Sequence, residues 1–124
     1  MVPRKSAGLN VPVLYKIMSR KEWESAQAQG IYRGSGVDLK DGFIHLSAPH
    51  QVRATAQKHF TGLADLVLLA VKAEDLGQNL KWEASRDGDL FPHIYGPLQL
   101  SAVGEVISLP LENGSHHFPR DVPQ

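Results

Sequence analysis

The sequence contains no cysteine among its 124 residues. This absence excludes disulfides, thiolate catalysis, cysteine-based zinc sites and iron–sulfur clusters. Long apolar runs are also missing: the longest, residues 66–71, is far shorter than the roughly 20 residues that span a bilayer. No apolar segment follows Arg4 and Lys5, as it would in a secretory signal. We therefore expect a cytoplasmic protein that does not enter the membrane.

The chain has no excess charge of either sign. Thirteen Lys and Arg residues balance thirteen Asp and Glu residues. Proteins that bind nucleic acid through a strong positive field need clustered basic residues, so this balance argues against a nucleic-acid partner. The length and the 42% hydrophobic content suit one domain with its own core. We predict a flexible N-terminal arm (residues 1–10), a single domain (11–111) and a polar C-terminal tail (112–124).

The order of the predicted elements favours an α+β fold. A capping box of Ser19 and Glu22 predicts a helix that ends at Gly30, and Ser47 is placed to cap a second helix over residues 48–60. The glycine-containing segment 31–42 is interpreted as a loop. With about five strands and two helices and no regular βαβ alternation, an α+β fold is favoured over a doubly wound sheet. The predicted strands are residues 11–18, 43–46, 65–71, 80–84 and 102–109, and residues 91–95 are expected to be short and extended.

A first polar segment lies on the predicted strand 43–46. Side chains alternate across a strand, so Phe43, His45 and Ser47 share one face, whereas Ile44 and Leu46 face the core. An imidazole and a hydroxyl on one face are candidates for hydrogen bonding and acid–base chemistry. The simpler alternative is that Ser47 only caps the next helix and that His45 is a hydrogen-bonded bystander.

A second polar segment follows in residues 91–96. The same alternation puts His93 and Tyr95 on one face, and Glu83 could join them from the preceding strand. Pro92 suggests an edge position or a strand entrance rather than a central strand, and Trp82 is expected in the core. We therefore expect His45 and His93 to open onto one polar cleft.

Three other kinds of site find little support in the sequence. There is no HExxH motif or other tight histidine spacing, so no metal site is predicted. Ser47 has no Gly-x-Ser-x-Gly elbow around it, which argues against a serine hydrolase. Gly34 and Gly36 lack the third glycine of a dinucleotide-binding loop and are interpreted as part of a mobile loop.

Several of these segments together resemble domain-of-unknown-function family 952, a set of small bacterial and plant proteins. The resemblance extends over roughly residues 12–110. The residues that carry it are 41–47 (DGFIHLS), Gln51, Ala56, 66–69 (LVLL), Trp82, Glu83 and 91–97 (FPHIYGP).

The resemblance implies an ADP-ribosyltransferase-like fold, in which two small packed sheets surround a cleft that binds NAD. By this analogy His45 would hold the nicotinamide ribose and amide. His93 or Tyr95 would stack on the nicotinamide or hydrogen-bond to it. Glu83 would supply the carboxylate that stabilises an oxocarbenium-like state when an N-glycosidic bond is cleaved.

Two hypotheses about function follow, besides a purely structural role for the two histidines. In the first, the protein binds or processes NAD, ADP-ribose or a related nucleotide, with His45 and Glu83 as catalytic residues. Ser47, His93 and Tyr95 would then bind the substrate, and NAD would be a substrate rather than a resident cofactor. In the alternative, the same cleft belongs to a non-catalytic module that binds a small molecule or a protein.

Overall fold

The computed structural model describes residues 13–85, 88–119 and 122. The predicted N-terminal arm lies outside these residues. Within them the fold is α+β, as the sequence predicts, and every pair of strands is antiparallel. In chain order the elements are β1 (Val13–Ser19), α1 (Arg20–Gln29), β2 (Ile31–Tyr32), α2 (Val37–Asp41), β3 (Ile44–His45), α3 (Val52–His59), β4 (Leu66–Lys72), a 3₁₀ segment (Ala73–Asn79), β5 (Leu80–Ala84), β6 (Leu90–Ile94), β7 (Leu98–Gln99), a second 3₁₀ segment (Leu100–Ala102), β8 (Val103–Leu109), β9 (Leu111–Glu112) and β10 (Ser115–His116).

The main sheet has three strands in the order β1–β4–β8. Its middle strand, β4, is the apolar run of the sequence. Val67 and Leu69 point to one face, whereas Leu66 and Leu68 point to the other, and both faces are covered. A strand buried on both faces needs apolar residues at every position, which explains the lack of alternation.

One face of the main sheet carries the functional region. It packs against α1, through Trp23 and Ala26, and against a second sheet in the order β3–β6–β5. A separate pair of short strands, β2 and β7, adds Tyr32 and Leu98 to the same core. The second sheet places the two predicted histidine segments side by side.

The opposite face of the main sheet packs against α3 and the C-terminal segment. Val52 and Ala56 of α3 are buried there, and Phe60 packs beside them, as their four-residue spacing predicts. The segment predicted as a tail begins as a hairpin of β9 and β10, and both Phe118 and Val122 pack on this core. The described part of residues 112–124 therefore lies against the domain.

The first helix follows its sequence signals. The Ser19 hydroxyl accepts a hydrogen bond from the Glu22 backbone N–H, the Glu22 side chain returns to the Ser19 N–H, and Gly30 closes the helix in a left-handed conformation. These contacts satisfy backbone groups that a helix end leaves unpaired. The predicted capping box is confirmed.

The prediction that residues 31–42 form a loop is wrong, because they contain β2 and the helix α2. The predicted start of the second helix is wrong as well. The backbone of Ser47 exchanges hydrogen bonds of 2.8 Å with Tyr15, which holds it extended beside β1, and α3 begins only at Val52.

Two predictions about the second sheet are also wrong. Pro92 lies on β6, the middle strand, but its carbonyl accepts from Leu46. In an antiparallel sheet the N–H and C=O of one residue point towards the same neighbouring strand. The position of the missing N–H therefore faces the end of the short strand β3, and the pairing of β6 with β5 loses no hydrogen bond. Trp82 is 45% exposed, because it lies on β5, which is an edge strand of the second sheet.

Among the described residues, no helix is both long enough and apolar enough to cross a membrane.

Candidate functional site

A buried carboxylate, Asp38 on α2, lies at the base of the site. One carboxylate oxygen accepts from Lys16 Nζ (3.0 Å), the Tyr32 hydroxyl (3.2 Å) and the Ser35 backbone N–H (3.1 Å). The other accepts from the His45 backbone N–H at 3.0 Å and lies 2.7 Å from His45 Nδ1. Asp38 therefore connects the main sheet, through Lys16, to β3, through His45.

The charge of Asp38 depends on these partners. Burial alone would raise the pKa of its carboxyl group, but the Lys16 ammonium and the hydrogen bonds from His45 outweigh burial and lower it. The neighbouring Tyr32 hydroxyl, which also contacts the Ser35 hydroxyl, has its pKa raised, mainly by burial. At neutral pH the centre therefore holds a carboxylate, an ammonium and an un-ionised phenol.

The His45 ring is held at both nitrogens. Nδ1 faces Asp38, and Nε2 lies 3.1 Å from Oδ2 of Asp41. An ionised carboxylate only accepts hydrogen bonds, so the ring makes both bonds at once only in its doubly protonated, cationic form. The Asp38 side chain is 1% exposed, whereas the His45 and Asp41 side chains are 32% and 39% exposed. A ligand can therefore reach Nε2 by displacing Asp41.

A second carboxylate–histidine pair lies on β5 and β6. His93 Nδ1 is 2.7 Å from Glu83 Oε1, and the Tyr95 hydroxyl donates to the same oxygen at 2.8 Å. These hydrogen bonds from His93 and Tyr95 lower the pKa of Glu83, and the bond to the carboxylate raises the pKa of Tyr95. Since both bonds end on Oε1, Oε2 has no partner among the described residues, and the Glu83 side chain is 37% exposed.

The two pairs meet at an aromatic cluster. β3 and β6 pair so that His45 lies opposite His93, which puts both rings on one face of the sheet. Their ring centroids are 5.3 Å apart, and the Phe43 ring stacks on His93 at 4.1 Å. Phe43 also contacts His45 at 4.7 Å and Tyr95 at 5.2 Å. We call Phe43, His45, His93 and Tyr95 the histidine cluster.

A groove of about 260 Å³ adjoins the histidine cluster at Phe43. Exposed Arg33, the turn at Gly96 and Pro97, and the buried Asp38 contribute to its lining. The histidine cluster and the groove therefore share the Phe43 ring.

Of the predicted site residues, the structure brings together His45, Glu83, His93 and Tyr95, and it leaves Ser47 apart. Ser47 is only 4% exposed, and its hydroxyl is 2.9 Å from that of Thr55 on α3. Alternation would place Ser47 on the His45 face, but the strand β3 ends at His45 and the chain turns to join β1. Ser47 thus lies between α3 and β1 and has no contact with the histidine cluster among the described hydrogen bonds.

Asp38 and Lys16 were not predicted as site residues. One signal for Lys16 exists in the sequence, because it shares a strand face with Leu14 and Met18 and is the only charge there. A lysine on an apolar face needs a buried partner. Asp38 has no comparable signal, since the short helix that positions it resembles a loop in sequence.

The arrangement suits proton transfer and hydrogen bonding. Each imidazole is oriented by a carboxylate, as in general acid–base sites. Within residues 13–85, 88–119 and 122, no three His, Cys, Asp or Glu side chains are grouped so that they could hold a metal ion.

Comparison with known proteins places the chain in a family. Its sequence matches the family described as "Protein of unknown function (DUF952)" over residues 17–106. It is similar to protein CC0527 from Caulobacter crescentus, whose crystal structure shows 57% identity and a TM-score of 0.82, over 85% of this chain and 93% of that one. The solution NMR structure of CC0527 gives 57% identity and a TM-score of 0.76, over 84% and 90%. No curated protein matches the chain. The family match covers most of the sequence, and the chain therefore belongs to the DUF952 family of proteins of unknown function.

Proposed function

We propose that the protein binds a nucleotide of the NAD or ADP-ribose class at the histidine cluster. The observation that carries the proposal is the meeting of two carboxylate-held imidazoles against one phenylalanine ring. Oriented imidazoles suit the hydroxyl groups of a ribose, and an aromatic surface suits a base or a nicotinamide ring.

Each residue then has a part in binding. Asp38 orients His45, whose Nε2 binds a ribose hydroxyl or an amide oxygen once Asp41 moves aside. Phe43 already covers one face of His93, so the ligand ring packs against Phe43 and the exposed Tyr95 instead. Ser47 is left out of this proposal, because its hydroxyl faces Thr55.

Catalysis by Glu83 is the further part of the proposal. The lowered pKa of Glu83 keeps it ionised at neutral pH, and its exposed carboxylate can stabilise positive charge on a ribose ring as the nicotinamide leaves. Two three-stranded antiparallel sheets that pack against each other support an ADP-ribosyltransferase-like fold. A cytoplasmic location, where NAD and ADP-ribose occur, belongs to the same proposal.

Binding is tested by titrating isotope-labelled protein with NAD and with ADP-ribose and following amide and imidazole shifts. We expect saturable shifts at His45, His93 and Tyr95. A Phe43→Ala variant should weaken binding by roughly tenfold, because it loses the stacking surface. A matched control is Leu63→Ala, an exposed apolar residue outside the histidine cluster. If millimolar nucleotide leaves the histidine cluster unshifted, the proposal is wrong.

Nicotinamide release separates an enzyme from a binding module. Wild-type protein and Glu83→Gln are incubated with NAD, and Glu74→Gln, at an exposed position on the first 3₁₀ segment, is the control. A catalytic carboxylate predicts release by wild type and Glu74→Gln, with a loss of roughly a hundredfold or more in Glu83→Gln. Tight binding without release by any of the three would identify the non-catalytic module instead.

A further inference from the structure

We infer that the groove beside Phe43 is the anion-binding part of the site, with Arg33 as the side chain that binds a phosphate of the ligand. This inference rests on the proposed function, and it adds a residue and a chemical group that the histidine cluster does not provide. The groove measures about 260 Å³, and its lining comprises Arg33, Asp38, Leu39, Gly42, Phe43, Ile44, Gly96 and Pro97.

Arg33 is the charged residue in this lining that has no partner among the described residues. Its side chain is exposed and makes no ion pair or side-chain hydrogen bond with another described residue. A guanidinium has donors in a fixed fork that matches the oxygens of a phosphate or carboxylate. An arginine that lines a cavity without a partner is therefore placed to take an anion.

Asp38, the acidic residue in the lining, does not compete for Arg33. Its side chain is only 1% exposed, and its oxygens already accept from Lys16, Tyr32, Ser35 and His45. The Lys16 ammonium lies 3.0 Å away and balances its charge. The net charge presented by the groove is therefore that of Arg33.

Two glycines, which have no side chain, form part of the groove lining. Gly42 and Gly96 both have positive φ, 87° and 136°, which favours glycine, and both line the groove. A side chain at Gly96 would also meet the Asn79 amide at 3.2 Å. Backbone without side chains lets a bulky anion approach closely.

The groove continues directly into the histidine cluster. Phe43 lines the groove and stacks on His93, so a ring against Phe43 and an anion at Arg33 can belong to one ligand. Leu39 and Pro97 add apolar surface to the lining. An aromatic surface and an unpaired guanidinium in one groove fit a nucleoside carrying a phosphate or pyrophosphate.

The test uses wild type, Arg33→Gln and Arg33→Lys, with inorganic pyrophosphate, adenosine and ADP-ribose as probes. Lys21→Gln, which removes one positive charge from the exposed start of α1, is the charge-matched control. We expect pyrophosphate to shift the amides of Gly42, Phe43 and Gly96 in wild type and in Lys21→Gln, but not in Arg33→Gln. We expect ADP-ribose to bind Arg33→Gln roughly ten- to a hundredfold more weakly, and adenosine to bind it within about twofold of wild type. Arg33→Lys should lie between the two.

The outcomes distinguish this inference from the proposed function. Equal affinity of wild type and Arg33→Gln for ADP-ribose, with shifts at His45 and His93, overturns the role of Arg33 and leaves the nucleotide site standing. Pyrophosphate shifts in the groove, without any nucleotide shift at the histidine cluster, support the anion site and sink the proposed function. If pyrophosphate shifts the same amides in Arg33→Gln as in wild type, the groove does not bind anions through Arg33.

Discussion

Asp38 and Lys16 form a buried ion pair that both holds His45 in the site and contributes to the stability of the protein. We expect Asp38→Asn to lower the free energy of unfolding by about 3–5 kcal/mol, because it leaves the Lys16 ammonium buried without its counter-ion. Urea denaturation at neutral pH measures the loss.

The matched control is Asp65→Asn, in the exposed ion pair with Arg20. There the partners are 40% and 68% exposed, and we expect a loss of about 1 kcal/mol or less. Asparagine also tolerates the positive φ of that position, 58°. Equal losses in the two variants would contradict the role given to burial.

The Glu83–Tyr95 hydrogen bond has its own signature in the titration of the phenol. The carboxylate raises the pKa of Tyr95, so Glu83→Gln should lower that pKa towards the ordinary value of about 10. By linkage, the stabilisation from this bond is complete below the unfolded pKa and is lost as pH rises through the higher folded pKa.

NMR titration of the Tyr95 ring in wild type and Glu83→Gln measures the difference. Tyr32 provides an internal control, because its raised pKa comes mainly from burial and should not respond. An unchanged Tyr95 titration would show that the 2.8 Å contact with Glu83 is absent in solution.

At the scale of elements, the segment from β2 to β3 holds the helix α2 at the position from which Asp38 contacts His45. A Cβ at Gly34 would lie 2.9 Å from the Asp38 Cβ, and the φ of Gly34 is 108°. We expect Gly34→Ala to destabilise the protein by about 1–3 kcal/mol and to shift the His45 imidazole resonances, because the helix α2 must move away.

Gly36→Ala is the control for this prediction. Gly36 also has positive φ, 42°, but a Cβ there meets nothing within 4 Å. We expect a cost of about 1–2 kcal/mol from backbone strain alone and an unchanged His45 environment. Should both variants shift His45 alike, strain in the loop rather than contact with Asp38 would be the cause.

The same elements show what the sequence could and could not predict. α1 follows from its capping box and Gly30, and β4 from an unbroken apolar run, because these signals are local or depend only on burial. The short strand β2 and the helix α2 escape detection because tertiary contacts, not propensity, hold them. Strand alternation groups His45 with His93 and Glu83, and the structure brings these three together. Alternation also puts Ser47 on the His45 face, and this is wrong because the strand β3 ends at His45.

At the scale of the whole molecule, the main sheet separates the site from a second core. Lys16, Leu14 and Met18 of β1 face the site, whereas Tyr15 and Ile17 face α3 and the C-terminal segment. Stability contributed by the second core should therefore be separable from the geometry of the site.

Phe118→Ala tests this separation. Phe118 packs on the second core and lies against the Arg53 guanidinium, whose carbon is 4.8 Å from the ring centroid. We expect a loss of about 2–4 kcal/mol in the free energy of unfolding, because apolar burial and the cation–π contact are both removed. Val106→Ala, at a position that is 41% exposed, should cost about 0.5 kcal/mol or less. The imidazole resonances of His45 and His93 should stay in place in both variants, because the main sheet lies between them and Phe118. If Phe118→Ala moved those resonances, the two faces would be coupled through β1 and β4, and the C-terminal segment would have to be counted as a support of the site.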